Sequence, residues 1–273
     1  MAVTFVVVPQ WQGSGSSRAM RLVDGADAIR GDLPSATTRV VQIPLEAGDS
    51  QNSGVHRITS IALVRERLAA VLAEIEGPVI TIGGDCGVEL AAIEHVASAG
   101  VAVLWLDAHP DLNTPQSSPS GAFTGMVLRT LLGEGPELLV PAVPLDPARV
   151  ILAGARAFDP DEDEYIAAHG VVCLAADTVS GEQLVAAVEA TGAASVYVHI
   201  DLDVLDSEDI SGLEYPEPFG VRAADLVDAL KTLLARFPLA GAGITEFAPA
   251  SPGDAVGDLP TILRLVGALV SQP

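Results

Sequence analysis

The sequence predicts an α/β protein, a three-layer α/β/α arrangement around a mostly parallel sheet. Three observations carry that expectation. Short apolar runs alternate with segments of helical periodicity along the chain. Several apolar runs end abruptly in Asp, His or Glu, at the edge where open α/β sheets place their sites. The 273 residues are 49% hydrophobic and only 18% charged, which suits one sizeable core without staples. Residues 1–273 are therefore expected to form a single domain.

The elements follow in order. Met1 to Val8 reads as a first core strand ended by Pro9, without the basic start of a signal peptide. A Gly/Ser loop, Gly13 to Ser17, precedes a short helix from Ala19 to Ile29. A strand near Arg39 to Ile43 comes next. Ile61, Val64, Leu68, Val71 and Ile75 recur at three- and four-residue spacing and mark an amphipathic helix. Gly77-Pro78 ends it. A strand from Pro78 to Ile82, a helix from Val88 to Ala97 and a strand from Val101 to Leu106 follow. Further strands are expected at Val150–Ala153, Val171–Leu174, Ala194–Ile200 and Leu239–Thr245. Helices are expected at Asp161–His169, Gly181–Ala190, Ala223–Ala235 and Leu259–Val270. Pro136 to Pro147 reads as a surface loop. Strands separated by helices imply parallel pairing with helices on both faces.

Charge and composition narrow the function. The formal net charge is −22, which argues against nucleic acid and anionic membranes as partners. A cationic, guanidinium-like small molecule suits such a chain, although a solvated acidic surface, common among soluble proteins, is the simpler account of the charge. No apolar run approaches membrane-spanning length, and a cytoplasmic location is expected. The two cysteines do not make a disulfide framework. Cys173, within Val171-Val-Cys-Leu174, reads as a buried core thiol.

The chemistry lies at four strand ends. Asp107, His109 and Asp111 follow the run Val101–Leu106 at alternate positions, which in an extended segment share one side. Asp201 and Asp203 follow Tyr197–Ile200 in the same way. Gly83-Gly84-Asp85-Cys86 ends a third run and Glu246-Phe-Ala-Pro249 a fourth. Carboxylates can cap following helices, which would account for one or two of these. Burying this many unpaired would cost many kcal/mol, whereas a metal would pair them. Hard oxygens with an occasional imidazole suit Mn²⁺.

Gly83-Gly84-Asp85, Asp107-Ala-His109-Pro-Asp111, Asp201-Leu-Asp203 and Glu246-Phe-Ala-Pro249 together resemble the signature blocks of the arginase, or ureohydrolase, superfamily. They stand in the family's order, and the resemblance spans most of the chain. It implies an arginase-like fold and two Mn²⁺ ions sharing a bridging hydroxide, a nucleophile near neutral pH. One ion would take Cys86, Asp107, Asp111 and Asp201. The other would take Asp107, His109, Asp201 and Asp203. Glu246 would hold a substrate guanidinium by charged hydrogen bonds, and Asp111 would relay a proton to the leaving amine. Asn113 and Ser120 match positions that grip an α-carboxylate, and Asp159 and Glu162 match acids near an α-amine. Asp159 also reads as a helix N-cap before Pro160, and both roles can coexist. The implied partner is a guanidino amino acid. The family often forms homo-oligomers.

Four positions depart from the family pattern, and one of them, Ala157, stands where the family has an Asp. Cys86 stands where the family usually has His; it is read as a softer ligand that holds Mn²⁺ weakly and admits Zn²⁺ or Co²⁺, or else as a small buried filler. Ala122 replaces an Asn, and Thr124 replaces a proton-shuttling His that Thr cannot imitate. His56, His95 and His169 are expected away from the strand ends, and His199 reads as a satisfied core histidine. The combination of Cys86, Ala122 and Thr124 looks like the Nω-hydroxy-L-arginine amidinohydrolase branch associated with D-cycloserine biosynthesis, which implies hydrolysis to L-ornithine and hydroxyurea. L-arginine, agmatine, guanidinobutyrate and formiminoglutamate are the alternative substrates, and a catalytically silent binding protein on the same fold is the alternative from another class.

Overall fold

A computed structural model describes residues 3–98 and 100–271. Its centre is one sheet of eight parallel strands in the order β2-β1-β3-β8-β7-β4-β5-β6. These are β1 (Thr4–Val8), β2 (Thr38–Val40), β3 (Val79–Gly83), β4 (Val101–Leu106), β5 (Val150–Ala153), β6 (Val172–Leu174), β7 (Ser195–Asp201) and β8 (Leu239–Thr245). The four strands that carry the sequence blocks, β3, β8, β7 and β4, are neighbours at the middle of the sheet. Their register is continuous: Ile82 pairs with Ile244, Ile200 with Ile244 on its other side, and Leu106 with Ile200. The carboxyl ends therefore finish level, and the following residues share one rim.

Helices cover both faces. α1 (Arg21–Gly31), α6 (Gly181–Thr191), α7 (Ala223–Arg236) and α8 (Pro252–Val270) pack on one side. α2 (Ile58–Leu72), α3 (Glu89–Val96), α4 (Val127–Leu131) and α5 (Pro160–His169) lie on the other. The period-two rule sorts β4 between them: Ala102, Leu104 and Leu106 face the first set, and Val101, Val103 and Trp105 the second. The same parity places Tyr197 and His199 on the Trp105 face, beside the start of α3.

Two expectations change, and one helix is new. α8 starts at Pro252 rather than Leu259, because Ser251 caps it by accepting from the Asp254 N–H and Pro252 suits the first turn. Gly253, Gly257 and Pro260 read as breakers in sequence, yet Ala255, Ile262, Leu265 and Leu269 are buried and hold the helix by tertiary packing. α4 is a single short helix that its five residues are too few to announce. Cys173 is exposed, not buried: it lies on β6, the last strand of the sheet, where only one side is covered. No helix among the described residues is long and apolar enough to cross a membrane.

Gly243 pairs with His199 across β7 and β8. A Cβ there would come within 1.6 Å of the Glu89 carboxylate. Gly243→Ala is expected to cost about 1–3 kcal/mol through overpacking, with urea denaturation as the measurement.

Candidate active site

Each block is positioned by backbone hydrogen bonds as well as by its strand. After β3 the chain passes so close to Gln10 that a Cβ on Gly84 would sit 1.8 Å from the Gln10 carbonyl oxygen. Asp85 then accepts from the Gln10 side-chain amide at 2.6 Å and from the Gly13 and Gly87 N–H groups at 2.8 Å each. This clasp ties the first loop to the third strand and presents Cys86 on a single 3-10 turn. Asp85 is thus an anchor rather than a facing group.

Beyond β4 the alternation inferred from sequence holds only as far as His109. Asp107 Oδ1 accepts from the His109 N–H at 2.6 Å, and Asp107 Oδ2 accepts from the Trp105 indole at 3.1 Å. Asp111 takes a positive φ of 55°, and Glu246 one of 66°. Such conformations are strained for these residues, at about 1–3 kcal/mol each, and persist where the surroundings enforce them. Glu246 is held by its N–H donating to Gly84 and by Oε1 accepting from the Cys86 N–H.

The acids converge as the blocks suggest. His109 Nδ1 lies 2.9 Å from Asp203 Oδ2 and 3.5 Å from Asp107 Oδ1. Cys86 Sγ lies 3.2 Å from Asp201 Oδ2 and 3.2 Å from Thr245 Oγ1. Two sets of donor atoms fall within 4.8 Å of one another: Cys86, Asp107, His199 and Asp201, and then Asp107, His109 and Asp203. Asp111 belongs to neither set, although its Oδ2 is buried without a partner.

Above these groups opens a cavity of about 350 Å³. Cys86, His109, Asp111, Asp201, Asp203 and Glu246 line its inner end. Asn113, Ser120, Asp159 and Glu162 also line it, while Asp107 lies buried behind. Asn113 donates to Asp159 Oδ2 at 2.8 Å and accepts from Ser117. Asp159 is the N-cap of α5 in a reciprocal capping box with Glu162. Glu162 accepts from the Asp159 and Leu112 N–H groups, each at 2.9 Å. The capping reading of Asp159 therefore holds, and its side chain still borders the cavity. Ala122 and Thr124 form part of the wall.

Electrostatics mark the site as short of positive charge. Burial, then the neighbouring acids, pushes Asp111, Asp201 and Glu246 well above the usual carboxylate range. Cys86 is raised by burial, then by Asp201 and Glu246. Burial and Asp107 raise Asp203 to about 6. The histidines respond oppositely: burial opposes their charge, but hydrogen bonds to Asp107 and Asp203 push His109 to about 12. Asp107 and Glu89 push His199 to about 9 against its burial. Mutually repelling acids, an unpartnered Asp111 oxygen and oxygen-rich donor sets fit divalent cations, which would reverse these shifts.

Sequence reasoning missed several supporting residues. Arg156 donates to the carbonyls of Gly154, Asp203, Val204, Glu217 and Pro218. It staples the loop after β7 to the rim. Glu214 and Tyr215 close one side of the cavity from that loop. Nothing periodic announces them. Tyr197 and His199 could have been found, since they alternate with Asp201 along one strand; Glu89, on α3, has no such signal. His56 is nearer the site than expected: its N–H donates to Gly121, in the loop that carries Ser120 and Ala122.

Comparisons with known proteins agree with this geometry. The family model described as "Arginase family" matches residues 16–255. An arginase of Entamoeba histolytica is 25% identical over 98% of this chain and 97% of its own length. An arginase of Bacillus subtilis is 30% identical over 75% of this chain and 77% of its own. The crystal structure of the Entamoeba histolytica arginase with L-ornithine superposes with a TM-score of 0.88 at 23% identity, covering 98% of each chain. The chain belongs to the arginase family, metal-dependent hydrolases of guanidino C–N bonds.

One pH dependence follows. Burial holds Glu162 at about 7, above an ordinary value of 4.5. The unfolded chain therefore loses this proton first. The contribution to stability is fully present below pH about 4.5, falls as the pH rises to about 7, and is constant above. In urea denaturation of the metal-free protein, the difference between wild type and Glu162→Gln is expected to change across that window and level off above it.

Proposed function

We propose that this protein hydrolyses the guanidine of Nω-hydroxy-L-arginine to L-ornithine and hydroxyurea. The observation that carries the reading is the cavity wall. Thr124 lines it, and His109 is the one imidazole among its described lining residues, already engaged by Asp203 and Asp107. Among the described residues no further imidazole lines the cavity to shuttle protons. A hydroxylated guanidine is less basic than arginine, so a neutral, electrophilic carbon is available near neutral pH without that help.

The remaining lining supports an α-amino acid. Glu246 Oε2 is buried without a partner, which suits a guanidine N–H donor. Asn113 and Ser120 offer polar groups for an α-carboxylate, and Asp159 and Glu162 offer acids for an α-amine. Asp107, His109, Asp201 and Asp203, with Cys86, would hold two divalent ions, Mn²⁺ by the habit of the family. When bound, such ions lower the pKa of water and supply a nucleophile near neutral pH. Glu246 orients the guanidine carbon toward that nucleophile. Asp111, at the inner end of the cavity, takes a proton from the attacking water and passes it to the leaving amine. Water adds to the guanidine carbon, the bond to the ornithine nitrogen breaks, and that nitrogen takes the proton. The specialised branch linked to D-cycloserine biosynthesis fits this substrate. L-arginine is the second reading, favoured by the arginase names of the relatives.

With Mn²⁺ in excess, kcat/KM for Nω-hydroxy-L-arginine is expected to exceed that for L-arginine by at least about tenfold, equivalent to about 1.4 kcal/mol of transition-state stabilisation. The reverse order would leave an ordinary arginase with an unusual Cys86. Asp203→Ala is expected to lower kcat by more than about a hundredfold through loss of the ion held near His109. Unchanged turnover would exclude Asp203 as a ligand; no turnover of any guanidine by the wild type would favour the silent binding protein.

A further inference from the structure

We infer that His199 is itself a metal ligand, so that the ion beside Cys86 is held by Cys86, Asp107, His199 and Asp201. The inference rests on the metal-dependent reading of the site and changes which residues form its first position.

Geometry carries it. His199 Nε2 lies 3.9 Å from Cys86 Sγ and 3.8 Å from Asp107 Oδ2, and Cys86 Sγ lies 3.2 Å from Asp201 Oδ2. Metal bonds of about 2.0–2.3 Å in a tetrahedral array separate their donor atoms by about 3.3–3.8 Å. These three separations are close to what an ion requires, and all four donor atoms lie within 4.8 Å of one another. Asp111 stands outside this group.

The ring is also oriented as a ligand would be. His199 Nδ1 lies 3.1 Å from Glu89 Oε1, and the Tyr197 hydroxyl donates to Glu89 Oε2 at 2.5 Å. The imidazole stacks on Trp105 with ring centres 3.7 Å apart. Every one of these side chains is buried. A metal-bound histidine typically donates its other N–H to a carboxylate, which sets the tautomer and the ring plane. Glu89 supplies that acceptor, Tyr197 fixes Glu89, and Gly243 leaves the space that Glu89 fills. The Nε2 lone pair is left facing Cys86, Asp107 and Asp201. A core histidine needing only satisfaction would not be aimed at a thiol and two acids. Imidazole and thiolate together make this position softer than an all-oxygen one, so it favours Zn²⁺ or Co²⁺ over Mn²⁺.

The test is nitrogen NMR of the full chain labelled with ¹⁵N-histidine, titrated with Zn²⁺, with His199→Gln used to assign the signal. Binding is expected to move the His199 Nε2 resonance into the metal-ligated range while Nδ1 keeps its proton toward Glu89. In parallel, His199→Gln should weaken Zn²⁺ binding at the Cys86 position at least tenfold by calorimetry. Glu89→Gln should weaken it about 10- to 100-fold. If Zn²⁺ binds and the His199 signals do not move, the inference is overturned while the metal-dependent reading stands. If the wild type binds no Zn²⁺, Co²⁺ or Mn²⁺ at all, both fail. The wild-type spectrum decides the question even if a variant does not fold.

Discussion

Anionic side chains crowd the carboxyl edge of four central strands in a nearly dry environment, and their mutual repulsion sets the demands that the surrounding structure meets. Asp107, Asp111, Asp201, Asp203 and Glu246 are all buried there. Backbone N–H groups answer part of the demand: Asp201 accepts from the Asp203 N–H, Asp203 from the Ala108 N–H, and Glu246 from the Cys86 N–H. His109 and His199 answer another part through Asp107 and Asp203. What is left, notably the unpartnered oxygens of Asp111 and Glu246, is answered by protonation, by a bound cation or by a donor on a substrate. The site is therefore built for ligands, at a cost in stability that the apolar layers around the sheet offset.

Those layers explain why the site is rigid. Trp105 and Tyr197 are fully buried and flank the acids from the helix-covered face. Asp85 locks the first loop to β3, and Arg156 locks the loop after β7 to the end of β5. Each clasp is a set of charge-assisted hydrogen bonds, mostly to backbone groups. Their joint effect is to hold groups from distant parts of the chain in register to within hydrogen-bonding distance.

The departures from the family pattern fall into two physical kinds. Thr124 and Ala122 lie in the cavity wall and change what the substrate meets. Cys86 lies at the floor and changes what an ion meets. Next to it, His199 brings an imidazole back to the same place from another strand, supported by Glu89 and Tyr197. On the proposed reading, metal preference and substrate preference rest on separate residues of one site.

The sequence by itself determined the α/β class, the strands β1, β3, β4, β5, β6, β7 and β8, and the strand-end acids that gather at the inner end of the cavity. Apolar periodicity and strand-end acids are local properties, so they survive in one dimension. It also determined the capping of α5 by Asp159, because a cap is read within four residues. Only the tertiary structure decided the strand order, which inserts β8 and β7 between β3 and β4 and so makes the four blocks neighbours. Only packing could reveal that α8 runs through Gly253, Gly257 and Pro260, or that Cys173 sits on an exposed edge. Alternation with Asp201 puts His199 on the same side of β7, but packing decides what that side faces. Its strand position is apolar in context, and its meaning comes from Glu89 on one side and Cys86 on the other. Contacts across more than a hundred residues leave no periodic trace in a single chain.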